Sequence, residues 1–318
     1  MKSWHIWDFP DKVYIQLKPR IRKKFFETMF KKLGGKRPYA RFLGLTQRCV
    51  VHYNEGYTIK NGIKHKQSIP ISVFKKSSML VDGNLRKEIE DNILLLKTQG
   101  NGIPIINPKL PINESSGLYR VIAHMIGDGS ATEKKVPYYA NTCKELREQF
   151  TKDLRLFGKA KVYERKLGEV PIVIFPKVVT DILANIFKIR FSQPNKIPEE
   201  IKESTEECKK AFLQALFDDE GCISTNLYIG MSNLIIVREI KKLVGNLGVK
   251  TGKITMGRSS FGGECYYFSI SKKHYKMFKE TIGFQHPKKL KRLEVALKIQ
   301  DRNKTQRTRP LEWTRNKI

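Results

Sequence analysis

Apolar side chains recur at Phe25, Phe26, Met29, Phe30 and Leu33, the spacing of one helical face, so residues 20–33 are expected to form an amphipathic helix stopped by Gly34-Gly35. From residue 40 to about 108 the pattern shortens to β-like runs: Cys49-Val50-Val51, Tyr57-Thr58-Ile59 and Ile69 to Phe74. Asn61-Gly62, between Ile59 and Ile63, reads as a hairpin turn because both residues tolerate positive φ. A short helix is expected over 84–96, and the Gly/Pro/Asn-rich stretch 100–113 reads as a linker or a run of edge strands, with a domain boundary at about residue 110.

Beyond that point the pattern occurs twice. One helical run, Leu118 to Ile126, ends in Gly127-Asp128-Gly129; another, Glu206 to Asp218, ends in Asp219-Glu220-Gly221. Each is followed by strand-like sequence, an amphipathic helix ending near a glycine, another strand and a final helix. Gly158 lies 30 residues after Asp128 and Gly248 lies 28 after Glu220. Lys177 and Lys272, at the ends of the last strands, lie 49 and 52 residues after those acids. The spacing predicts two helix–strands–helix–strands–helix units, 111–195 and 196–290, joined through 192–204. Residues 1–110 become a basic mixed α/β extension or accessory DNA-binding domain, and 291–318 a basic tail.

Charge adds a partner. The 318 residues hold 61 Lys+Arg against 31 Asp+Glu, a formal net charge of +30, with enough aromatic residues (17 Phe, 12 Tyr, 3 Trp) to fill real cores. Such an excess calls for a polyanion, most commonly nucleic acid, although a Lys-rich surface kept for solubility is the plainer reading. Charge alone does not choose between DNA and RNA. No apolar run approaches a bilayer span, the start lacks a secretory segment, and the five cysteines are too scattered for a zinc ribbon or disulfide framework. A reduced, cytoplasmic, nucleoid-associated protein without a membrane partner is the expectation.

The two acidic helix ends carry the chemistry. In Val121 to Gly129 the apolar positions nearly encircle the helix, which means burial on more than one side. Leu213 to Gly221 is its counterpart, and Ser204-x-x-Glu207 upstream reads as a capping box. Ala123 and Ala215 occupy equivalent places, small enough for two helices to approach closely. A helix C-terminus carries about half a negative charge, so Asp218, Asp219 and Glu220 crowded at one such end call for a cation. A divalent metal shared by acids from two abutting helices would supply it, with the following glycines as left-handed caps. The alternative is a pair of ordinary surface turns, which the duplication disfavours.

These residues resemble the LAGLIDADG family of homing endonucleases in its single-chain, two-motif form: Val121 to Gly129 looks like the first motif and Leu213 to Gly221 like the second. The resemblance covers about residues 111–290; Ala replaces Gly at both helix-contact positions, His124 takes a usually aliphatic place, and Glu220 stands where the eponymous motif has Asp. It implies an α+β fold, a pseudo-twofold αββαββα pair whose antiparallel sheets form a saddle over double-stranded DNA, in a monomer with internal pseudo-symmetry. Asp128 and Glu220, with Gly127 and Asp219 beside them, would hold Mg²⁺, or Mn²⁺ in its place, at the two scissile phosphates. Lys177 and Lys272 match the family's basic residues near the active site, with ordinary phosphate contact as the alternative.

No Ser/His/Asp or Cys/His constellation competes with this. Strand residues in 131–140, 159–175, 222–232 and 250–270 would face the groove, with Arg258 and the loop Ser259 to Gly263 as candidates for base reading. Lys273 and the basic end of the chain, beginning with Lys288, Lys289, Lys291 and Arg292, would contact phosphate without specificity. The expected activity is site-specific Mg²⁺-dependent double-strand cleavage; the alternative is a non-cleaving binder on the same scaffold, an intron RNA maturase or a DNA-binding regulator. Protein splicing needs a nucleophilic first residue and a terminal Asn; Met1 and Asn316-Lys317-Ile318 lead to the expectation of a free-standing protein.

Overall fold

In a computed structural model, the described residues are 2–58, 64–65, 67–98, 102–132, 135–258 and 262–308. The chain divides into two units, one of residues 1–194 and 198–203, the other of 195–197 and 204–318. No helix among the described residues is long and apolar enough to cross a membrane, and no disulfide joins the five cysteines.

The first unit begins with β1 (Ser3–Trp4) and β2 (Val13–Leu17), whose alternate residues Val13, Ile15 and Leu17 are buried. Helix α1 (Pro19–Leu33) follows with proline at its first turn and Gly34 as a left-handed cap at φ 81°. Its buried side chains include Phe25, Phe26 and Met29, the face that the spacing predicted. Next come α2 (Lys36–Leu43) and α3 (Gln47–Glu55). Here the expected strand at Cys49-Val50-Val51 is corrected. The Thr46 hydroxyl accepts from Cys49 N–H at 3.3 Å and starts a helix; such a cap contributes about 1 kcal/mol, more than the few tenths that β-branched valines lose there.

Strands β3 (Tyr57–Thr58) and β4 (Lys64–His65) then pair antiparallel; the Asn61-Gly62 turn expected between them lies outside the described residues. The run at 69–74 is a strand only over β5 (Ile69–Pro70) and turns into α4 (Ile71–Ser77), which buries Ile71, Val73 and Phe74. The helix expected over 84–96 is α5 (Gly83–Asp91), capped by Asp82, and its last residues belong instead to strand β6 (Ile93–Thr98). The strand pattern wins there because β6 lies inside a sheet, paired with β2 on one side and with β7 (Ile105–Ile106) on the other. Strand β8 (Ile112–Asn113) closes this region by pairing with β1.

The first repeat runs α6 (Ser116–Ile126), β9 (Gly129–Ser130), β10 (Tyr138–Ala140) and α7 (Lys144–Asp153). It continues through β11 (Lys159–Ala160), β12 (Tyr163–Leu167), β13 (Val170–Ile174) and α8 (Lys177–Ile186). The boundary expected near residue 110 is corrected: β11 joins the amino-terminal sheet, giving the order β11-β7-β6-β2-β5. Gly158 makes that approach possible, since a Cβ there would lie 2.6 Å from the Asn107 carbonyl oxygen. Short helix α9 (Glu199–Lys202) also belongs to this unit.

In the second unit α10 (Glu206–Glu220) leads into β14 (Gly221–Ile223), β15 (Leu227–Met231) and α11 (Leu234–Asn246). Then come β16 (Thr255–Arg258), β17 (Glu264–Ser269), α12 (Tyr275–Thr281) and α13 (Pro287–Thr308). The cap of α10 is Thr205, whose hydroxyl accepts from Cys208 N–H at 3.3 Å, not Ser204 as the capping-box spacing suggested. The two repeats have one topology. Their antiparallel sheets are ordered β9-β10-β13-β12 and β14-β15-β17-β16, so in each the fourth strand lies between the second and the third.

Candidate functional site

Helix α6 buries Leu118, Tyr119 and every residue from Val121 to Ile126. His124 lies in the first repeat's own aromatic core, its ring 4.8 Å from Tyr139 and 5.9 Å from Phe150. The helix ends as Gly127 N–H donates to the Ala123 carbonyl at 2.9 Å, and Asp128 follows, half-buried, with its main-chain oxygen accepting from Ala140 N–H at 3.1 Å. Its carboxylate is oriented by Asn141, whose Nδ2 donates to Asp128 Oδ2 at 2.9 Å. Asn141 escaped the sequence reading because it lies 13 residues away and is placed only when β9 and β10 pair.

The glycines that follow the acids are not left-handed caps, contrary to expectation: neither Gly129 nor Gly221 has positive φ. They are required by space. A Cβ on Gly129 would lie 2.4 Å from Met125 Cα, and one on Gly221 would lie 2.4 Å from the Phe217 carbonyl oxygen. In both repeats the strand leaves the helix so closely that its first residue touches the residue four places earlier.

The crowded acids of the second motif are resolved within the chain. Asp218, 1% exposed, accepts from the main-chain N–H groups of Gln285 and His286 at 2.9–3.1 Å, at the entry to α13. It is thus a structural carboxylate, and the expectation that it adds to the need for a metal is corrected. Lys289 is corrected too: its Nζ donates to the carbonyl oxygens of Phe217 and Asp219 at 3.2 Å and to that of Asp218, so it serves the negative end of α10. Asp219 and Glu220 remain half-buried beside it. Burial, with the Glu220 charge second, raises the pKa of the Cys265 thiol, which places that carboxylate within electrostatic reach of strand β17.

Lys177 opens α8, and its Nζ donates to the Thr132 carbonyl at 2.7 Å, four residues beyond Asp128. Lys272 and Lys273 are exposed in the turn after β17. Arg258 is exposed on β16, directly opposite Glu264 of β17; Ser259, Ser260 and Phe261 lie outside the described residues. Lys288, Lys291 and Arg292 are exposed on α13, with Arg292 Nη1 also donating to the Ile223 carbonyl at 3.3 Å.

The family model described as "LAGLIDADG-like domain" matches residues 207–283, from the first turn of α10 to the end of α12. That segment is similar to a LAGLIDADG-like domain. The repeat before it, outside the match, has the same strand order. Among curated proteins the chain is similar to the glutamine–fructose-6-phosphate aminotransferase of Methanocaldococcus jannaschii, 25% identical over 287 residues, covering 86% of this chain and 25% of that protein. It is also similar to the ribonucleoside-diphosphate reductase NrdEB subunit alpha of Bacillus subtilis, 25% identical over 221 residues, covering 59% of this chain and 20% of that one. The chain therefore spans a quarter or less of the curated relatives it matches.

Among solved structures, I-DmoI in complex with DNA and Mn has a TM-score of 0.40 at 19% identity, covering 53% of this chain and 97% of that one. The homing endonuclease I-WcaI bound to its DNA recognition sequence gives 0.37 at 14%, covering 55% and 86%. Full-length DUF199/WhiA from "Thermatoga maritima" gives 0.41 at 13%, covering 62% and 66%.

Proposed function

We propose that the chain is a site-specific, metal-dependent endonuclease that cuts both strands of a DNA duplex, one motif acid serving each strand. The duplication carries this reading: a buried-type helix, an acid at its end, a glycine pressed onto the last turn and a sheet of one strand order all occur twice. A chain so built offers two equivalent carboxylates where a duplex offers two equivalent phosphodiesters.

The donor atoms fit Mg²⁺ or Mn²⁺. In the first repeat Asp128 provides carboxylate oxygen and Gly127 main-chain oxygen, and in the second Glu220 provides carboxylate oxygen, all hard ligands, and such ions take one or two carboxylates with waters and phosphates completing the shell. The Asp219 carbonyl is taken by Lys289, so Asp219 would contribute through its carboxylate. A bound ion would lower the pKa of a water and neutralise charge on the phosphodiester. Asn141 holds the Asp128 carboxylate in place for this. Lys177, tied by one of its three donors to Thr132, keeps others for phosphate, and Lys272 takes the corresponding role in the second repeat.

Matches to small parts of an aminotransferase and a reductase subunit, enzymes without common chemistry, support a segment that travels between host genes as an intron- or intein-associated element. The deciding experiment incubates the protein with a random duplex library in Mg²⁺ and in EDTA and sequences the cut ends. Cleavage at one site in Mg²⁺ alone, abolished by Asp128→Asn or by Glu220→Gln with duplex binding retained, is the expected result. No cut duplex under any metal overturns it, and preference for a structured intron RNA over every duplex would favour the maturase.

A further inference from the structure

We infer that α2 and α3 form a second DNA-binding element, a helix-turn-helix whose second helix, α3, enters the major groove of duplex DNA outside the stretch contacted by the two repeats. The two helices are joined by three residues, Gly44-Leu45-Thr46, with Gly44 left-handed at φ 71° and Thr46 capping α3. This is the short, glycine-containing turn on which such motifs are built. Tyr39, Ala40 and Leu43 of α2 and Val50 of α3 are buried, while α1 supplies the ring of Phe26 at 6.2 Å from Tyr39.

The pair is locked from behind. Buried Arg22 of α1 donates to the carbonyl oxygens of His52 and Tyr53 at the end of α3, and to that of Gln67 at 2.7 Å. Lys76 of α4 donates to the Leu43 carbonyl at the end of α2 at 2.7 Å. Lys36 Nζ, at the start of α2, meets Glu55 Oε1, at the end of α3, at 2.8 Å. These contacts hold the helix ends and leave Gln47 and Arg48, in the first turn of α3, exposed.

Charge identifies the occupant. Between Glu27 and Glu55 the sequence has Lys31, Lys32, Lys36, Arg37, Arg41 and Arg48 and no acidic residue. Arg37 and Arg41 are exposed on α2, the helix that crosses the phosphate backbone in such motifs, while the first residues of the second helix reach base edges. Gln47 and Arg48 are side chains of the kind that read adenine and guanine through paired hydrogen bonds. A basic stretch whose flanking carboxylate, Glu55, is already held by Lys36 suits duplex phosphate rather than an apolar protein partner.

The test uses the full chain and the duplex that it selects from a random pool, with footprinting and titration in several salt concentrations. Gln47→Ala with Arg48→Ala is expected to weaken binding about ten- to a hundredfold and to erase protection and sequence preference over a short block at one end of the site. Arg37→Ala with Arg41→Ala is expected to weaken all duplexes alike and to lower the salt slope by about one for each residue removed. All four side chains are exposed, so both variants should melt with the wild type. Footprint and affinity within about twofold of wild type in both would overturn the inference, as would selection of RNA alone or of no nucleic acid. The outcome is separable from the nuclease reading: a protected block without cleavage keeps the helix-turn-helix and sinks the nuclease, and cleavage with an unchanged block does the reverse.

Discussion

Asn141 Nδ2 donates to Asp128 Oδ2 at 2.9 Å. The amide is itself fixed, since its Oδ1 accepts from Cys143 N–H at 2.9 Å and its main-chain oxygen accepts from Arg147 Nη1 at 2.9 Å. Asn141→Leu should lower single-turnover cleavage about 10–100-fold, the usual effect of losing the partner that orients a metal-binding carboxylate. Duplex affinity should stay within a few-fold. Wild-type cutting by Asn141→Leu would show that Asp128 needs no such support.

Asp218 and Glu220 should behave in opposite ways although they are neighbours in one helix. Asp218→Ala leaves two main-chain N–H groups unsatisfied in a buried place and should cost about 2–4 kcal/mol of stability, read from urea unfolding. Asp218→Asn, which keeps an acceptor, should cost less. Glu220→Gln should leave the urea midpoint unchanged and abolish cleavage.

Gly129→Ala and Gly221→Ala each push a methyl group against a helix at 2.4 Å, so each should destabilise by about 1–3 kcal/mol. Gly245→Ala in α11 makes the contrast: a Cβ there meets nothing within 4 Å. It should stabilise by about 0.5–1 kcal/mol through helix propensity. Thermal melts of the three variants in parallel check both signs.

Alkaline stability should depend on Tyr39. Burial pushes its hydroxyl pKa well above the ordinary tyrosine value, against the smaller opposing effect of its hydrogen bond with Ser77. In the unfolded chain the proton leaves near pH ~10, so above that value the unfolded state binds fewer protons than the folded one and stability falls as pH rises. Tyr39→Phe should remove this part of the slope above pH ~10 and cost about 1 kcal/mol at neutral pH for the lost hydrogen bond. An unchanged slope would exclude Tyr39 as its source.

The carboxyl-terminal two-thirds of the chain was legible in the sequence because duplication acts as its own control: the acid, the glycine and the basic residue recur at matching spacings, and helix periodicity locates α6 and α10. The partners of those acids were not legible. Asn141, Gln285 and His286 are brought in by strand pairing and by the entry to α13, which no local pattern encodes. In the amino-terminal region short apolar runs misled, since Val50-Val51 and Ile71 to Phe74 suit either a strand or a buried helical turn. For Val50-Val51 the signal that decides is a single capping residue, Thr46, whose hydrogen bond outweighs the β-branched preference; α4 starts behind Pro70 with no side-chain cap.

The pairing of β11 with β7 has a practical consequence for anyone wishing to pare this protein down to its two repeats. Cutting away the first hundred-odd residues would strip β11 of its neighbour, take Lys12 from the buried Asp181 carboxylate, 2.7 Å away, and remove Trp4, whose ring lies 5.3 Å from that of Phe187. A chain reduced to the two repeats would need that uncovered flank repainted, starting with an apolar replacement for Asp181.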